Sequence, residues 1–493
     1  MHKITSISFS QAKLEEISIS KINNLFTIFK VHSLLSRAMI LKRNGLQTIE
    51  MFYLFILLIF EKSKSVYSGL EALKVQRYET TLNNFLNNPR YNWRKLQLYI
   101  AKLYSNKYPP EKGKPRILII DDTSKKKTGK LVEFISWFYD HSDGSYYRGY
   151  QTVIMAWSNF KTCIPIDFVI KTGKKPCEGT KRSNYDKTSH TYKRYLESQL
   201  TKTEISIHMI KRAMKHRIEF DYVLWDSWYN SSVAYGFIFD RLVPHQKHLI
   251  TMVKLGGEKY WYNEQECNVK EICNSIKKWK KHPSSEIKFK SVMVEIIDKS
   301  DPDRTRMGRV KMCFYKFPGQ KKNKYKAIIC TNTELTELEI LELYTQRWQI
   351  EVVIKDLKQY FGYNQSMSSK YAPQIADLTI RCICYIMICS LREKDPKRSM
   401  YQIVIEINND FVDHCFQVFV SYVLKKSILD FIKYAESKGI ITLVELIDKY
   451  EKMYNDFITS DIYEEKIIES GDKMKKKRVK RTKNQRVTAL EKL

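Results

Sequence analysis

The chain of 493 residues is long enough for roughly two to four structural units, and its 43% hydrophobic and 13% aromatic residues exclude a disordered protein. It carries 85 Lys and Arg residues against 54 Asp and Glu residues, which gives a formal charge of +31. Such a basic balance on a folded chain favours a polyanionic partner, nucleic acid ahead of a membrane surface, with charge kept for solubility as the alternative.

The amino-terminal region, residues 1–108, is predicted to be helical and basic. Its first residues, MHKITSISFS, lack the apolar segment of a signal peptide. The apolar run from Met51 to Phe60 is about half the length of a membrane span, so we expect a buried helix there. The ten cysteines form no closely spaced framework, which favours a reducing cytoplasm and no membrane partner.

A pair of helices near the end of this region is a candidate DNA-reading module. A short polar helix is predicted at about Thr80–Leu86, followed by an NNP break and an amphipathic helix from about Tyr91. Small polar side chains on the first helix would face base edges, while Lys and Arg on the second would hold phosphates. A helical cap without DNA contacts is the alternative.

Strand patterns begin at Arg116. The runs RILII, YQTVIMAW and CIPIDFVI predict three strands, with HSDGSYYRGY as a turn after the first. A helix at about Tyr192–His216 precedes two more strands, FDYVLW and HLITMVKL, and EIKFKSVMVEII, RVKMCFYKF and YKAIICT follow beyond Gly256. This order predicts an α/β fold with a mixed sheet flanked by helices. The expected parts are a core in two segments, 109–255 and 334–395, and a β-rich insertion, 256–333.

The carboxyl-terminal region, residues 396–493, is predicted to be helical and to end in a basic tail. Nine Lys and Arg residues lie between Lys473 and Arg486, a density typical of a solvated segment that binds phosphates without sequence preference. Just before this region, an apolar helix holds Cys382, Cys384 and Cys389 with no His nearby. Small buried thiols are therefore favoured over a zinc site.

The stretch from Leu343 to Gly362, LYTQRWQIEVVIKDLKQYFG, is predicted to be one amphipathic helix. At about 100° per residue, five polar side chains fall within an arc of about 80°. They are Tyr344, Arg347, Glu351, Lys355 and Lys358. An apolar stripe beside them would pack on the core and keep the polar row at its rim. The alternative is a set of i,i+4 ion pairs on a solvated face.

Acidic residues follow two of the predicted strands. Asp121 and Asp122 end the first strand, and Asp226 ends the strand YVLW. Together with Glu351, such acids could converge although they are far apart in sequence. Carboxylates that hold two divalent ions are what phosphodiester cleavage or transfer requires. An Asp at a strand end is also ordinary turn chemistry, which is the alternative for either strand alone.

The order of strands, acids, insertion and final helix resembles the RNase H-like core of DDE transposases. The spacing Tyr344-x2-Arg347-x3-Glu351-x6-Lys358 matches the YREK signature of the insertion-sequence-four family, and YTQRWQIE is similar to that family's wording. The resemblance covers about Arg116 to Tyr371. It implies a bacterial, nucleoid-associated transposase that binds terminal inverted repeats, cleaves at the transposon ends and joins 3′-OH ends to target DNA by a cut-and-paste route.

The resemblance also implies a cofactor, partners and site residues. The cofactor is Mg²⁺, with Mn²⁺ as a substitute, at two ions per active site; the partner is double-stranded DNA, bound by a homodimer, with no small-molecule substrate. Asp122 is preferred to Asp121 because the family's acid directly precedes the Thr. The implied catalytic and metal-binding residues are Asp122, Asp226 and Glu351, and the implied DNA-binding residues are Tyr344, Arg347, Lys355, Lys358 and Lys254.

One departure concerns the hairpin intermediate used by some family members, which often carry a Trp in the insertion where this chain has Ala327. A flipped base needs a stacking face. Tyr325, Tyr315 or Phe317 would have to supply it, or the hairpin route is not used. Two other functions stay open: a stand-alone RNase H-like nuclease and a domesticated DNA-binding protein without catalysis.

Overall fold

The computed structural model describes residues 20–410 with gaps, together with isolated helical positions between 424 and 437. The gaps are at 43, 62–65, 73–77, 130, 141–143, 174–176, 178–183 and 319–324. The chain divides into two compact units, Met1–His414 and Cys415–Leu493, and the first is the one described below. The predicted basic tail lies outside the described residues, as does most of region 396–493.

Helices precede the first strand in the part of the predicted helical region that the structure describes, from Ser20 to Lys107. The apolar run from Met51 to Phe60 lies in a helix whose side chains from Met51 onward are buried, which confirms the expected buried helix. The predicted pair near Thr80 and Tyr91 is also present, with the Asn92 side chain capping the second helix. The described helices are α1 (Ser20–Ile28), α2 (Val31–Arg37), α3 (Thr48–Glu61), α4 (Val66–Ala72), α5 (Glu79–Asn87) and α6 (Trp93–Lys107).

The central sheet begins with four strands and is completed after two helices. Antiparallel pairs join β4 to β3 and β3 to β1, while β1 runs parallel to β5 and β5 parallel to β6. The bounds are β1 (Ile117–Lys126), β2 (Ser136–Asp140), β3 (Ser145–Ser158), β4 (Cys163–Lys171), α7 (His190–Ser198), α8 (Lys202–Lys215), β5 (Tyr222–Trp225), α9 (Ser232–Phe237) and β6 (His248–Val253). The order β4-β3-β1-β5-β6 is that of an RNase H-like sheet, as the sequence predicts.

Strand β1 lies at the middle of this core because its first residues are apolar on both faces. Ile117, Leu118, Ile119 and Ile120 are fully buried, which is typical of a strand covered by helices on both sides. The acids follow directly after this run, where the strand becomes half-buried. The sheet thus places them at the edge of the core.

The predicted β-rich insertion continues the same sheet. Strand β12 pairs antiparallel with β6, and the order then runs β12-β11-β10-β7-β8, with β9 paired to β10. Its described elements are β7 (Lys259–Tyr262), β8 (Gln265–Asn268), α10 (Val269–Ser275), β9 (Lys280–Lys281), β10 (Lys288–Ile297), β11 (Arg306–Lys316) and β12 (Lys326–Cys330).

The insertion is followed by α11 (Glu337–Thr345), α12 (Trp348–Gln359) and α13 (Tyr371–Lys394), and residues 400–410 are also helical. Helix α13 is long and apolar enough to cross a membrane, but 94% of its most apolar window is buried within the protein. It holds Cys382, Cys384 and Cys389, all of them buried, as expected for small core thiols. Helix α13 is therefore a core helix of this unit.

The structure differs from the predicted elements at three places. The helix expected at about Tyr192–His216 is two helices, because Thr201 and Glu204 form a capping box that starts α8. The stretch Leu343–Gly362 is also two helices, since the backbone hydrogen bonds tighten to three-residue spacing where Arg347 N–H donates to Tyr344 O. The segment HSDGSYYRGY, predicted as a turn, contains the start of β3, which pairs with β2.

Candidate active site

Asp121 and Asp122 lie side by side in β1 and point to opposite faces of the sheet. Successive side chains of a strand alternate between faces, and the two residues pair with Ile154 and Val153 of β3. Asp121 contacts a residue of the α11–α12 junction, whereas Asp122 contacts the first residue of α8. Asp121 therefore lies near the α11–α12 junction, and Asp122 near the start of α8.

Asp121 shares one guanidinium with Glu351. Nη1 of Arg347 lies 3.1 Å from Oδ2 of Asp121, and Nη2 lies 2.7 Å from Oε1 of Glu351. Burial raises the pKa of Asp121 to about 6; the charges of Asp122 and Glu351 act in the same direction, and Arg347 opposes them. The residues form an acidic cluster in which Arg347 bridges two carboxylates.

Asp226 follows β5 directly and caps a short 3₁₀ turn, where its Oδ1 accepts the Ser227 N–H at 2.6 Å. In the parallel pair of β1 and β5, Ile119 lies opposite Leu224. Beyond this pair, β1 continues to Asp121, and β5 ends at Trp225, directly before Asp226. The charge of Asp226 also adds to the burial that raises the pKa of Tyr344 in α11. The parallel pairing of β1 and β5 therefore brings Asp226 to the same part of the sheet as Asp121.

Asp122 is held by three polar partners on the other face. Its carboxylate pairs with Lys202 Nζ at 2.8 Å and accepts hydrogen bonds from Gln151 Nε2 at 2.7 Å and Tyr229 OH at 3.1 Å. The prediction chose Asp122 because it precedes a Thr, but the contact that reaches Glu351 through Arg347 is made by Asp121. Sequence reasoning did not single out Lys202, Gln151 or Tyr229, which carry no spacing signal.

The predicted row of DNA-binding residues does not lie on one helix. Tyr344 is in α11 and buried, Arg347 lies at the junction, and Lys355 and Lys358 are exposed on α12. The single-helix stripe is thus wrong, because the chain turns at the residues before α12. Lys254 follows β6, with its ammonium group 3.7 Å from the centre of the Trp228 ring, a cation–π contact.

The candidate stacking residues of the insertion differ in accessibility. Tyr315 is fully buried and presents no ring face to a ligand, and Ala327, which stands where the family often has a Trp, is also fully buried. Tyr325 and Phe317 are half-buried. The sequence analysis did not single out two exposed tryptophans near the acids, Trp228 at 56% and Trp348 at 63% exposure.

The donor chemistry of the cluster suits a hard divalent ion, since Asp121, Asp226 and Glu351 offer carboxylate oxygens alone. Among the described residues, however, no group of three or more His, Cys, Asp or Glu side chains is arranged to hold a metal ion. Arg347 stands between two of the three acids. The arrangement is therefore a carboxylate–arginine cluster with the ligand types of a metal site.

Two protein-family models match the chain. The model described as DDE superfamily endonuclease matches residues 41–242, and the model described as Transposase DDE domain matches residues 197–387. No curated protein matches the chain at a significant level. Among solved structures, the chain is similar to the NurA nuclease from Sulfolobus solfataricus, with 10% identity and a TM-score of 0.24 over 66% of this chain and 96% of that one.

The two family matches overlap and together include every acid described above. The first contains Asp121, Asp122 and Asp226, and the second contains Asp226 and Glu351. Both descriptions name a DDE domain, one of an endonuclease and the other of a transposase. The matched residues support a DDE-type transposase or endonuclease domain in this chain.

Proposed function

We propose that the chain is a cut-and-paste DNA transposase, which binds terminal inverted repeats, cleaves at the transposon ends and joins 3′-OH ends to target DNA. The observation that carries the proposal is the bridge that Arg347 makes between Asp121 and Glu351, beside an RNase H-like sheet and within the matched residues. Two copies of the chain would act on the two ends of one element.

The catalytic acids in this proposal are Asp121, Asp226 and Glu351. Asp121 takes the place that the sequence analysis gave to Asp122, because it shares Arg347 with Glu351. Asp122 then has a positioning role, in which its ion pair orients Lys202 at the start of α8.

The three acids would hold divalent ions, Mg²⁺ or Mn²⁺ and two per site, and the ions would neutralise charge on the attacking and leaving oxygens. Arg347 is placed to bind a phosphate oxygen beside the acids, where a guanidinium offers two parallel donors. Lys355 and Lys358 on α12 and Lys254 after β6 are accessible cations for neighbouring phosphates.

Single substitutions of the acids test this assignment. Asp121→Asn, Asp226→Asn and Glu351→Gln should each lower cleavage of end DNA in Mg²⁺ by roughly 10²–10³-fold, because each removes charge stabilisation at the reacting phosphate. Binding of the same DNA without metal should persist. Asp122→Asn is the matched control and should lose less activity. Full activity of Asp226→Asn would contradict the proposed chemistry. A larger loss of activity in Asp122→Asn than in Asp121→Asn would assign the catalytic role to Asp122.

A transposase is distinguished from a non-transposing nuclease by end recognition and joining. A footprint on the flanking DNA of the element should protect one short inverted repeat, and cleaved ends should appear joined to a target plasmid. Uniform cleavage without protection or joining would instead indicate a nuclease. Sedimentation of the complex with end DNA should give two protein chains for a paired-end assembly.

A further inference from the structure

A groove of about 970 Å³ opens on the face of the sheet covered by α6, α7 and α8. Its described lining includes nine Lys or Arg residues and no Asp or Glu. It does not include the acids of the candidate active site. The groove is therefore a separate, strongly basic surface.

The floor of the groove carries an excess of buried positive charge. Arg94 and Arg212 both pair with Asp167, at 3.1 and 2.7 Å, and both also contact Glu197. Arg194, which is 5% exposed, is the third arginine beside these two acids, and it donates to the carbonyl oxygen of Phe168 at 2.7 Å. Three guanidinium groups thus face two carboxylates, which leaves one positive charge uncompensated.

The rim adds cations that have no acidic partner. Lys95 and Lys102 of α6, Lys193 of α7 and Lys215 of α8 form no ion pair with any residue that the structure describes. The pKa of His216 is lowered, mainly by burial; the charge of Asp167 opposes this shift, while Lys215, Lys102 and Lys95 act in the same direction as burial. These lysines therefore create a positive potential across the groove, which favours an anion.

Helix α8 runs from this groove to Asp122, the residue next to Asp121 in β1. Its first residue, Lys202, pairs with Asp122, and its last residue, Lys215, lines the groove. At 1.5 Å per residue the helix is about 20 Å long, which equals about six base pairs of duplex DNA. Phosphates about six base pairs apart on one duplex could therefore reach both ends of α8.

We propose that this groove binds the phosphate backbone of duplex DNA, about half a helical turn away from the cleaved phosphodiester. The inference rests on the proposed function in one respect, namely that DNA is the substrate. The lysines of the rim bind phosphates in a sequence-independent way, and the buried charge of Arg194 strengthens the field above them. The groove thereby extends the contact between protein and DNA beyond the acids.

The test replaces one rim lysine from each helix in the full chain: Lys102→Gln, Lys193→Gln and Lys215→Gln together. Binding of a fluorescent duplex is measured by anisotropy in EDTA between about 50 and 300 mM salt. Each lost phosphate contact lowers the slope of log K against log salt by about 0.9. The triple variant should therefore lose two to three units of slope, by order of magnitude, and about 10- to 100-fold in affinity at the lower salt concentrations.

The control removes the same charge away from the groove, with Lys112→Gln, Lys394→Gln and Lys397→Gln. An equal loss of slope in the control would overturn the inference, because it would show an effect of net charge alone. Should the triple variant unfold, the single change Lys193→Glu at the exposed rim gives the same comparison. Its affinity should fall about 10-fold.

The outcomes separate this inference from the proposed function. If the wild-type chain binds DNA without cleaving it and the triple variant still loses affinity, the groove stands and the transposase proposal falls. If the wild-type chain cleaves and the triple variant binds as tightly, the groove assignment is overturned. Unchanged DNA binding with altered sedimentation of the free protein would also overturn it and would assign the surface to protein contacts.

Discussion

Asp356 is a nearly buried carboxylate on α12, five residues beyond Glu351. Burial raises its pKa to about 6, and the Tyr385 hydroxyl lies 3.4 Å from Oδ2. An unfolded Asp has a pKa of about 3.9, so between about pH 4 and pH 6 only the folded chain keeps the proton. The free energy of unfolding therefore falls as the pH rises through this window. Asp356→Asn should remove this pH dependence and stabilise the chain above pH 6 by about 1–3 kcal/mol.

Urea unfolding at pH 4 and pH 7 measures this effect. The gain of Asp356→Asn over the wild-type chain should be present at pH 7 and absent at pH 4. Asp395→Asn, at an exposed position after α13, is the surface control. A gain of equal size at both pH values would show that the amide stabilises by packing and not by removing a buried charge.

The two acids of β1 show what a residue pattern alone decides. Strand alternation already requires that Asp121 and Asp122 face opposite sides. Which side meets the helix that carries Glu351 depends on the path of α11 and α12 and on where Arg347 lies, and the residues near the acids encode neither. The adjoining Thr therefore favoured Asp122, while the ion pairs of Arg347 favour Asp121.

At the scale of elements, the pairing of β1 with β3 depends on Gly149. Its φ is 156°, and a Cβ at this position would lie 2.2 Å from the carbonyl oxygen of Lys125. Lys126 is its pairing partner in the register. Gly149→Ala should therefore push the two strands apart just beyond the acids and destabilise the fold by at least about 2 kcal/mol.

Chemical denaturation measures the free energy of unfolding of Gly149→Ala, and the cleavage assay measures its activity. Gly256→Ala is the matched control, because a Cβ there meets nothing within 4 Å. It should change stability by less than about 0.5 kcal/mol. If Gly149→Ala were as stable as this control, the close approach of β1 and β3 at this point would be contradicted.

The elements that the sequence predicted well are those with one clear periodicity. The apolar strand before the acids, the buried helix from Met51 and the helical pair around Asn92 all have local patterns that tertiary contacts reinforce. Strand β2 was missed because its aromatic pairs with β3, such as Tyr139 with Tyr146 at 5.1 Å, form only after the hairpin closes. Helix breaks at Thr201 and Arg347 depend on caps and side-chain bridges that periodicity does not show.

At the scale of the whole molecule, the insertion is part of the main sheet. The strand content of residues 256–333 was predictable from composition and alternation, but its attachment was not. Strand β12 pairs with β6, so Ala327 faces Val253 across the ladder, and one continuous sheet joins core and insertion. The sequence of either segment alone does not predict this long-range pairing, because each one shows only the pattern of a half-buried or buried strand.

The formal charge of +31 includes the basic residues of the carboxyl-terminal tail, which should contribute to DNA binding without sequence preference. The tail holds nine Lys and Arg residues between Lys473 and Arg486 and lies outside the described residues. Charge in such a sequence binds any phosphate, and its contribution falls steeply with salt. Truncation after Asp472 should weaken binding to random duplex and end DNA by the same factor, leaving the ratio of the two affinities unchanged.

Anisotropy with the two duplexes at about 50 and 200 mM salt measures this ratio. A full-length chain with Gln at the nine basic tail positions separates charge from chain length and should behave as the truncated chain does. Substitution of the groove lysines should also weaken binding to both duplexes by a common factor, because phosphate contacts carry no sequence information. If truncation lowered the ratio of the affinity for end DNA to that for random DNA, the tail would recognise the end sequence. A segment that binds only by its charge does not do so.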